Sequence, residues 1–285
     1  MNSTVVSIAL ALSSMMGFGV ADFFTKIILS KAPPIRTALI SQAIGTLLFL
    51  GAALYFDFGV PSNSILFLTL ISGILSAIAL CSYYIALSIE KASIVAPIFA
   101  CLNVVAVVLS ISVLRESLSI LQLSLILCVL AGILLVAFER STNPSNKLGV
   151  PLALLAALLA GGNAIIQKLI ASGAHFLMSF TLTRFFMLGF MFTILLTVGE
   201  RHDSKSSTSY RNIGFLGLLD VTSFFAWYLG LRFGLVAIVT PIANSSPVLT
   251  VILAHLFLKE RIGWSQRVGI VAILVGIITL AAISQ

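Results

Sequence analysis

Ten apolar stretches alternate along the chain with short polar connections, and they fall near residues 5–29, 37–56, 64–88, 93–113, 119–138, 150–171, 177–198, 212–231, 237–258 and 264–283. About 20 helical residues cross the hydrocarbon core of a bilayer, and in lipid a helix satisfies its own backbone polar groups. The pattern therefore predicts an all-α integral membrane protein with ten transmembrane helices. The longest polar connections, Glu139 to Lys147 and Glu200 to Arg211, are too short for a folded extramembrane domain. Any chemistry has to be found among the helices.

Composition agrees. Of 285 residues 60% are hydrophobic and only 9% charged, with a mean hydropathy of +1.17, which is not the make-up of a water-soluble domain. The first apolar run lacks a basic leader and carries Asp22 and Lys26, so it is expected to remain as a helix rather than be cleaved. Three cysteines, Cys81, Cys101 and Cys128, lie inside spans without paired spacing, which predicts neither disulfides nor a thiolate metal site. The net charge of +7 is scattered over short loops; this favours lipid headgroups and excludes a nucleic-acid patch. Basic residues concentrate in the odd-numbered loops (Lys31, Arg36, Lys91, Arg140, Lys147, Arg201, Lys205, Arg211, Lys259, Arg261), with Arg115 and Arg232 in the even ones. By the positive-inside rule both termini face outward.

The chain is also written twice. Ser93-Ile-Val-Ala-Pro97-Ile through Glu116 recurs ungapped as Ala237-Ile-Val-Thr-Pro241-Ile through Glu260, a constant offset of 144 residues. At that offset Tyr84 falls on Tyr228, Gly73 on Gly217 and Gly132 on Gly276; earlier in each half the offset is 142, placing Lys26 on Lys168 and Gln42 on Arg184. Each copy, residues 1–140 and 148–285, holds five spans. Because five is odd, the second copy enters from the opposite side, giving two inverted five-helix repeats.

With these residues in view, the chain resembles the drug/metabolite transporter superfamily with paired EamA-type domains. The resemblance rests on Gly17 to Lys26, on Tyr83-Tyr84-Ile-Ala-Leu87 and Trp227-Tyr228-Leu-Gly-Leu231, and on the Pro97 and Pro241 segments running into Glu116 and Glu260. It implies a multi-pass carrier of the cell membrane that moves small metabolites, often amino acids, outward. It also implies a site in a basket of spans 1, 3, 4, 6, 8 and 9, with spans 5 and 10 peripheral. Family members usually carry the basic excess between spans 2 and 3, whereas Asp57-Phe-Gly-Val-Pro-Ser-Asn-Ser64 has no Lys or Arg; this puts the orientation implied by the family at odds with the loop charges.

Ionisable residues inside spans carry the functional argument, since a charge at the bilayer centre costs on the order of 3 kcal/mol and usually faces a partner or a wet cavity. Asp220 and Arg184 are mid-span and within reach of each other as a structural salt bridge or as a substrate or gating pair. Asp22 stands near the acidic site of small multidrug-resistance relatives, and it or Asp220 is a candidate proton carrier. Lys26 and Lys168 are either snorkelling residues or a symmetric pair drawing an anionic group from each side. Tyr83, Tyr84, Trp227 and Tyr228 are matched aromatics, read as interfacial belt or pocket wall. Asn163 completes the set in the sixth span.

Prolines remove a backbone donor, so Pro97 and Pro241 predict kinks, with the ninth span more irregular because Pro247 follows. Asn244, Ser245 and Ser246 there are expected to offer polar groups near the midplane, either to a substrate or to the kink itself. Glu116 and Glu260 read as caps of the following helix or solvated groups, and Gly17, Gly19, Gly161, Gly162, Gly269 and Gly276 as close-packing positions, the last two with an oligomer contact as an alternative. His175 and His255 lack a second ligand at metal spacing, and no HExxH, GxSxG, paired-Asp or GxxxxGK[ST] motif occurs. The expectation is a secondary carrier without cofactor or metal, monomeric or weakly self-associating, with a passive channel or a lipid-acting membrane protein as alternatives.

Overall fold

Helix is the answer of every apolar stretch. The computed structural model describes residues 3–29, 32–57, 59–90, 92–137, 148–198, 210–259 and 262–283; the side chains of residues 26, 92, 93, 96, 97, 137, 198, 210, 254 and 258 lie outside it. Most of the basic odd-numbered loops, and Glu260, fall outside the described residues. Twelve helices are described: α1 (Ser3–Leu29), α2 (Pro34–Phe56), α3 (Asn63–Ile89), α4 (Ala92–Ala100), α5 (Leu102–Ser112), α6 (Ile120–Ala137), α7 (Gly149–Ala171), α8 (Phe176–Val198), α9 (Tyr210–Phe233), α10 (Val236–Ala243), α11 (Pro247–Leu258) and α12 (Trp264–Ile283). They make ten spans, because α4 with α5 and α10 with α11 are each one span broken in the middle.

Both broken spans are the proline-bearing ones, and Pro247 stands directly after the break in the ninth. The fourth span turns at the single residue Cys101, four residues after Pro97, while the ninth loses its helix over Asn244, Ser245 and Ser246. Pro241 lies inside α10, and Pro247 opens α11, so the carbonyl of Ala243 has no N–H four residues on to receive. Ser245 is fully buried and its hydroxyl donates to the Pro241 carbonyl at 2.8 Å, while Asn244 Nδ2 donates to the Thr240 carbonyl at 2.9 Å. Local side chains thus satisfy part of the broken backbone, which lipid would not.

The two repeats interlock. Helices of one repeat pack chiefly on those of the other: α1 on α9, α3 on α7 and α8, α2 on α8 and α9, α6 on α12. Small residues make these approaches possible without a hydrophobic driving force between helices in lipid. A Cβ on Gly73 would meet the Thr183 carbonyl at 2.9 Å, and one on its repeat mate Gly217 would meet the Ser41 carbonyl at 2.1 Å. Ser41 and Thr183 are themselves equivalent at the 142-residue offset, so the two seams are copies. At the periphery, Gly132 abuts the Gly269 carbonyl and Ile273, and its mate Gly276 abuts the Leu125 carbonyl and Val129, the equivalent atoms of the other repeat. Such reciprocal contacts are what an inverted pair related by a twofold axis in the membrane plane requires. Gly269 and Gly276 are therefore spent on an intramolecular seam, which removes the basis for reading them as an oligomer contact. Gly17 against Ser223 and Gly161 against the Leu102 carbonyl are equally tight, whereas Gly162 has only Leu109 at 3.9 Å.

Outside this core the surface is Leu, Phe, Ile and Val, with side chains such as Leu47, Phe185 and Ile278 turned outward. Eight described helices are long and apolar enough to cross a membrane, and Ile98–Ser112 and Ile120–Val136 are shorter apolar helices. The protein is an all-α, multi-pass membrane protein of ten spans in two inverted five-helix repeats.

Candidate functional site

Between the two broken spans lies a cavity of about 230 Å³, the volume of a small molecule. Spans 1, 3, 4, 6, 8 and 9 contribute its walls, as the family resemblance implies, and so do α2 through Gln42 and α8 through Arg184 and Met187. Nothing from α6 or α12 reaches it. Nine candidate residues are brought together here: Asp22, Tyr83, Tyr84, Asn163, Arg184, Asp220, Trp227, Asn244 and Ser246.

Three candidates are placed elsewhere. Lys168 Nζ donates to the carbonyls of Leu231 and Gly234, at 2.5 and 2.7 Å, and so binds the C-terminal end of α9, where a cation also suits the helix dipole. Tyr228 is fully buried in the core, its hydroxyl donating to the Phe176 carbonyl at 3.1 Å. Ser245 serves the kink as described. The side chain of Lys26 lies outside the described residues. The matched aromatics thus divide: Tyr83 and Tyr84 both line the cavity, but of the second pair only Trp227 does, with its Nε1 donating to Thr240 Oγ1 at 3.3 Å.

The charged groups form two clusters. Asp22 is on α1 one turn beyond Phe18, and its carboxylate is open to the cavity; Ser246 Oγ donates to Oδ2 at 3.0 Å from the break in the ninth span. Among the described residues it makes no ion pair. The sequence places Arg184 within reach of Asp220, and in the structure the two are joined through a third residue. Arg184 Nη1 donates to Gln42 Oε1 at 2.8 Å, and Gln42 Nε2 donates to Asp220 Oδ2. The guanidinium carbon sits 3.9 Å from the centroid of the Phe224 ring and 5.3 Å from that of Phe180, an aromatic sandwich that stabilises a desolvated cation.

Several buried polar atoms here have no partner among the described residues: Arg184 Nη2, Asn163 Oδ1 and Asn103 Oδ1. Leaving such a group unsatisfied costs about 1–3 kcal/mol, more when it is charged. The other ends of both amides are held, Asn163 Nδ2 by Ser76 Oγ at 2.9 Å and Asn103 Nδ2 by the Ala100 carbonyl at 3.1 Å. The cavity is therefore lined by residues that carry unpartnered acceptors and one unpartnered cationic donor. Apolar surface faces them: Tyr83 stacks on Phe99 with centroids 4.0 Å apart, and Phe18 and Phe224 meet edge to face. A concave, mostly apolar pocket with a few convergent polar groups is how small-molecule sites are built.

Gln42 was noted in the sequence only as the repeat mate of Arg184, yet that equivalence was the signal. Two equivalent positions that touch flank the pseudo-twofold axis, and both of these line the cavity. Ser76, Asn103 and Thr240 also line it; as small polar residues in spans they are hard to tell from those that bond their own helix.

Glu116 corrects another expectation. Its Oε1 and Oε2 accept from the N–H groups of Val236 and Ala237, at 2.8 and 3.0 Å, so it caps α10 of the other repeat rather than the following helix.

The sequence profile of the EamA-like transporter family matches twice, over residues 5–138 and 147–282. An uncharacterized protein of Methanocaldococcus jannaschii, MJ1333.1, is 33% identical over 135 residues, which is 47% of this chain and 98% of that protein. A solved structure described only as a crystal structure of a protein superimposes with a TM-score of 0.80 at 17% identity, over 99% of this chain and 98% of that one. At that identity the likeness is one of fold.

Proposed function

Because the chain belongs to the EamA-like transporter family, we propose that it is a secondary carrier that moves small metabolites, amino acids among them, by alternating access, with the central cavity as its substrate site. The observation that carries this reading is the convergence of charged and unpartnered polar side chains from both repeats on one cavity at the two helix breaks. Asp22, Tyr84, Asn163, Arg184, Asp220, Trp227 and Asn244, with Gln42, hold the cargo. Two carboxylates face the cavity with one guanidinium, and Arg184 is already shared with Asp220 through Gln42. Asp22 is then the group whose charge has to be met by the cargo or by a proton, and it is the coupling residue if protons drive transport. Alternating access rocks the interlocked repeats around this fixed site.

The test is counterflow in proteoliposomes loaded with an unlabelled amino-acid mixture and exposed to the same mixture in labelled form. A carrier accumulates label transiently above equilibrium, and its flux saturates. Flux that rises linearly with concentration and shows no overshoot would make the protein a passive pore.

A further inference from the structure

Arg184 and Gln42 occupy equivalent positions in the two repeats and touch each other across the pseudo-twofold axis, yet one is a cation and the other a neutral amide. The same asymmetry recurs nearby: Asp220 is the repeat mate of Ser76, and Asp22 of Ala164, all four lining the cavity. The scaffold is symmetric and the charge is not.

We propose that Gln42 sets the charge preference of the site: it holds the Arg184 guanidinium by Nη1 and is its neutral link to Asp220. Nη2 is thereby reserved for an anionic group of the cargo, and Asp22 for a cationic one. The inference rests on the carrier reading and assigns the ends of the site to opposite charges.

The geometry supports each part. Gln42 is 1% exposed and uses both ends of its amide, the oxygen on Arg184 and the nitrogen on Asp220. An uncharged side-chain amide can accept from the guanidinium and donate to the carboxylate at once. Arg184 is 4% exposed, with the Phe224 and Phe180 rings beside its guanidinium, so it does not swing away to find another partner. Its Nη2, lacking any among the described residues, matches a carboxylate or another planar oxyanion, the partner a guanidinium favours. Asp22, on another helix, has the Ser246 hydroxyl as its one hydrogen-bond partner among the described residues and matches an ammonium. The Tyr83 and Phe99 stack and Trp227 give the same cavity an aromatic wall.

Three probes that share a phenyl ring separate the two ends: 3-phenylpropionate as the acid, 2-phenylethylamine as the amine and phenylalanine as the zwitterion. The chain has two tryptophans, and Trp264→Phe, at an exposed span end, leaves Trp227 as a fluorescent reporter inside the cavity. In nanodiscs, phenylalanine should bind best. Gln42→Glu supplies a carboxylate to Arg184, so it should weaken 3-phenylpropionate and phenylalanine at least tenfold while sparing 2-phenylethylamine. Asp22→Asn should do the reverse, losing the amine and keeping the acid, and it carries the test if Gln42→Glu does not fold.

Equal binding of all three probes, no binding of any, or a Gln42→Glu protein that keeps the acid would overturn the assignment. Counterflow separates this from the carrier reading. Lost charge preference with counterflow intact rejects the assignment alone, and intact preference without counterflow rejects transport alone.

Discussion

Asp57 Oδ1 lies 2.9 Å from His175 Nδ1, joining the loop after α2 in the first repeat to the turn before α8 in the second. The other carboxylate oxygen accepts from the N–H groups of Leu177 and Met178, at 2.9 and 3.2 Å, so Asp57 caps α8 from the opposite repeat, as Glu116 caps α10. Arg232 adds a third tie on the same face, donating to the Ala171 and Gly173 carbonyls with its guanidinium over Phe176. Ionic and polar bonds thus fasten the even-numbered loops to one another.

The Asp57 bond has a pH signature. Partial burial pushes the Asp57 carboxyl up, but hydrogen bonds from His175, Met178 and Leu177 together outweigh it and hold the group below the usual carboxylate range. A carboxylate depressed on folding contributes stability that is present above its unfolded value, about 3.9, and lost as pH falls through the folded value. Asp57→Asn, which keeps a capping oxygen but removes the charge, should therefore lower stability by about 0.3–1 kcal/mol at neutral pH. The gap from wild type should close as melts of solubilised protein are taken below about pH 4. A gap that stays constant would mean that the cap works without its charge.

The glycine seam between α6 and α12 is expected to tolerate no side chain. A Cβ on Gly269 would stand 2.6 Å from the Gly132 carbonyl and 2.8 Å from a Val136 methyl, whereas one on Gly189 meets nothing within 4 Å. Gly269→Ala should destabilise by about 1–3 kcal/mol, and Gly189→Ala, mid-helix and in open space, should be neutral or stabilising. Thermal melts of the two variants check this. Equal behaviour would remove the close-packed seam.

How much of this was legible in the sequence depends on what the residues report. Apolar length and the 144-residue self-match report the spans and their inversion directly, because lipid imposes one solution on an apolar segment. Pro97, Pro241 and Pro247 likewise report the breaks. Polar residues inside spans report only that a partner exists, not which one. Asp22, Arg184, Asp220 and Asn244 proved to face the cavity, while Lys168, equally polar, reaches the end of α9. Repeat matching misled where the copies have diverged: Tyr84 lines the cavity, and its mate Tyr228 packs in the core. The relay through Gln42 needed three helices in register, which no single span encodes.

Lys168 and Glu116 provide a contrast with the cavity. Both hold helix ends away from it, so Lys168→Met and Glu116→Gln should each lower the melting temperature, at a cost of about 1–2 kcal/mol. Neither should alter which of the three phenyl probes binds best. A changed order of preference in Lys168→Met would return that lysine to the site.

Arg184 and Asp220 are expected to be coupled chiefly through Gln42. With Gln42 in place, removing either charge strands the other in a buried network. Arg184→Ala and Asp220→Ala should each impair counterflow, and the double change should be no worse than the worse single one. Replacing Gln42 by leucine cuts both hydrogen bonds while leaving Phe180 and Phe224 against the guanidinium. In that background the same two substitutions should become nearly additive, because residues without a shared partner couple weakly. Counterflow rates for both cycles, normalised to the amount of protein in the membrane, give the two coupling energies. Should the coupling survive Gln42→Leu undiminished, Arg184 and Asp220 would be communicating directly, and the amide between them would be a bystander.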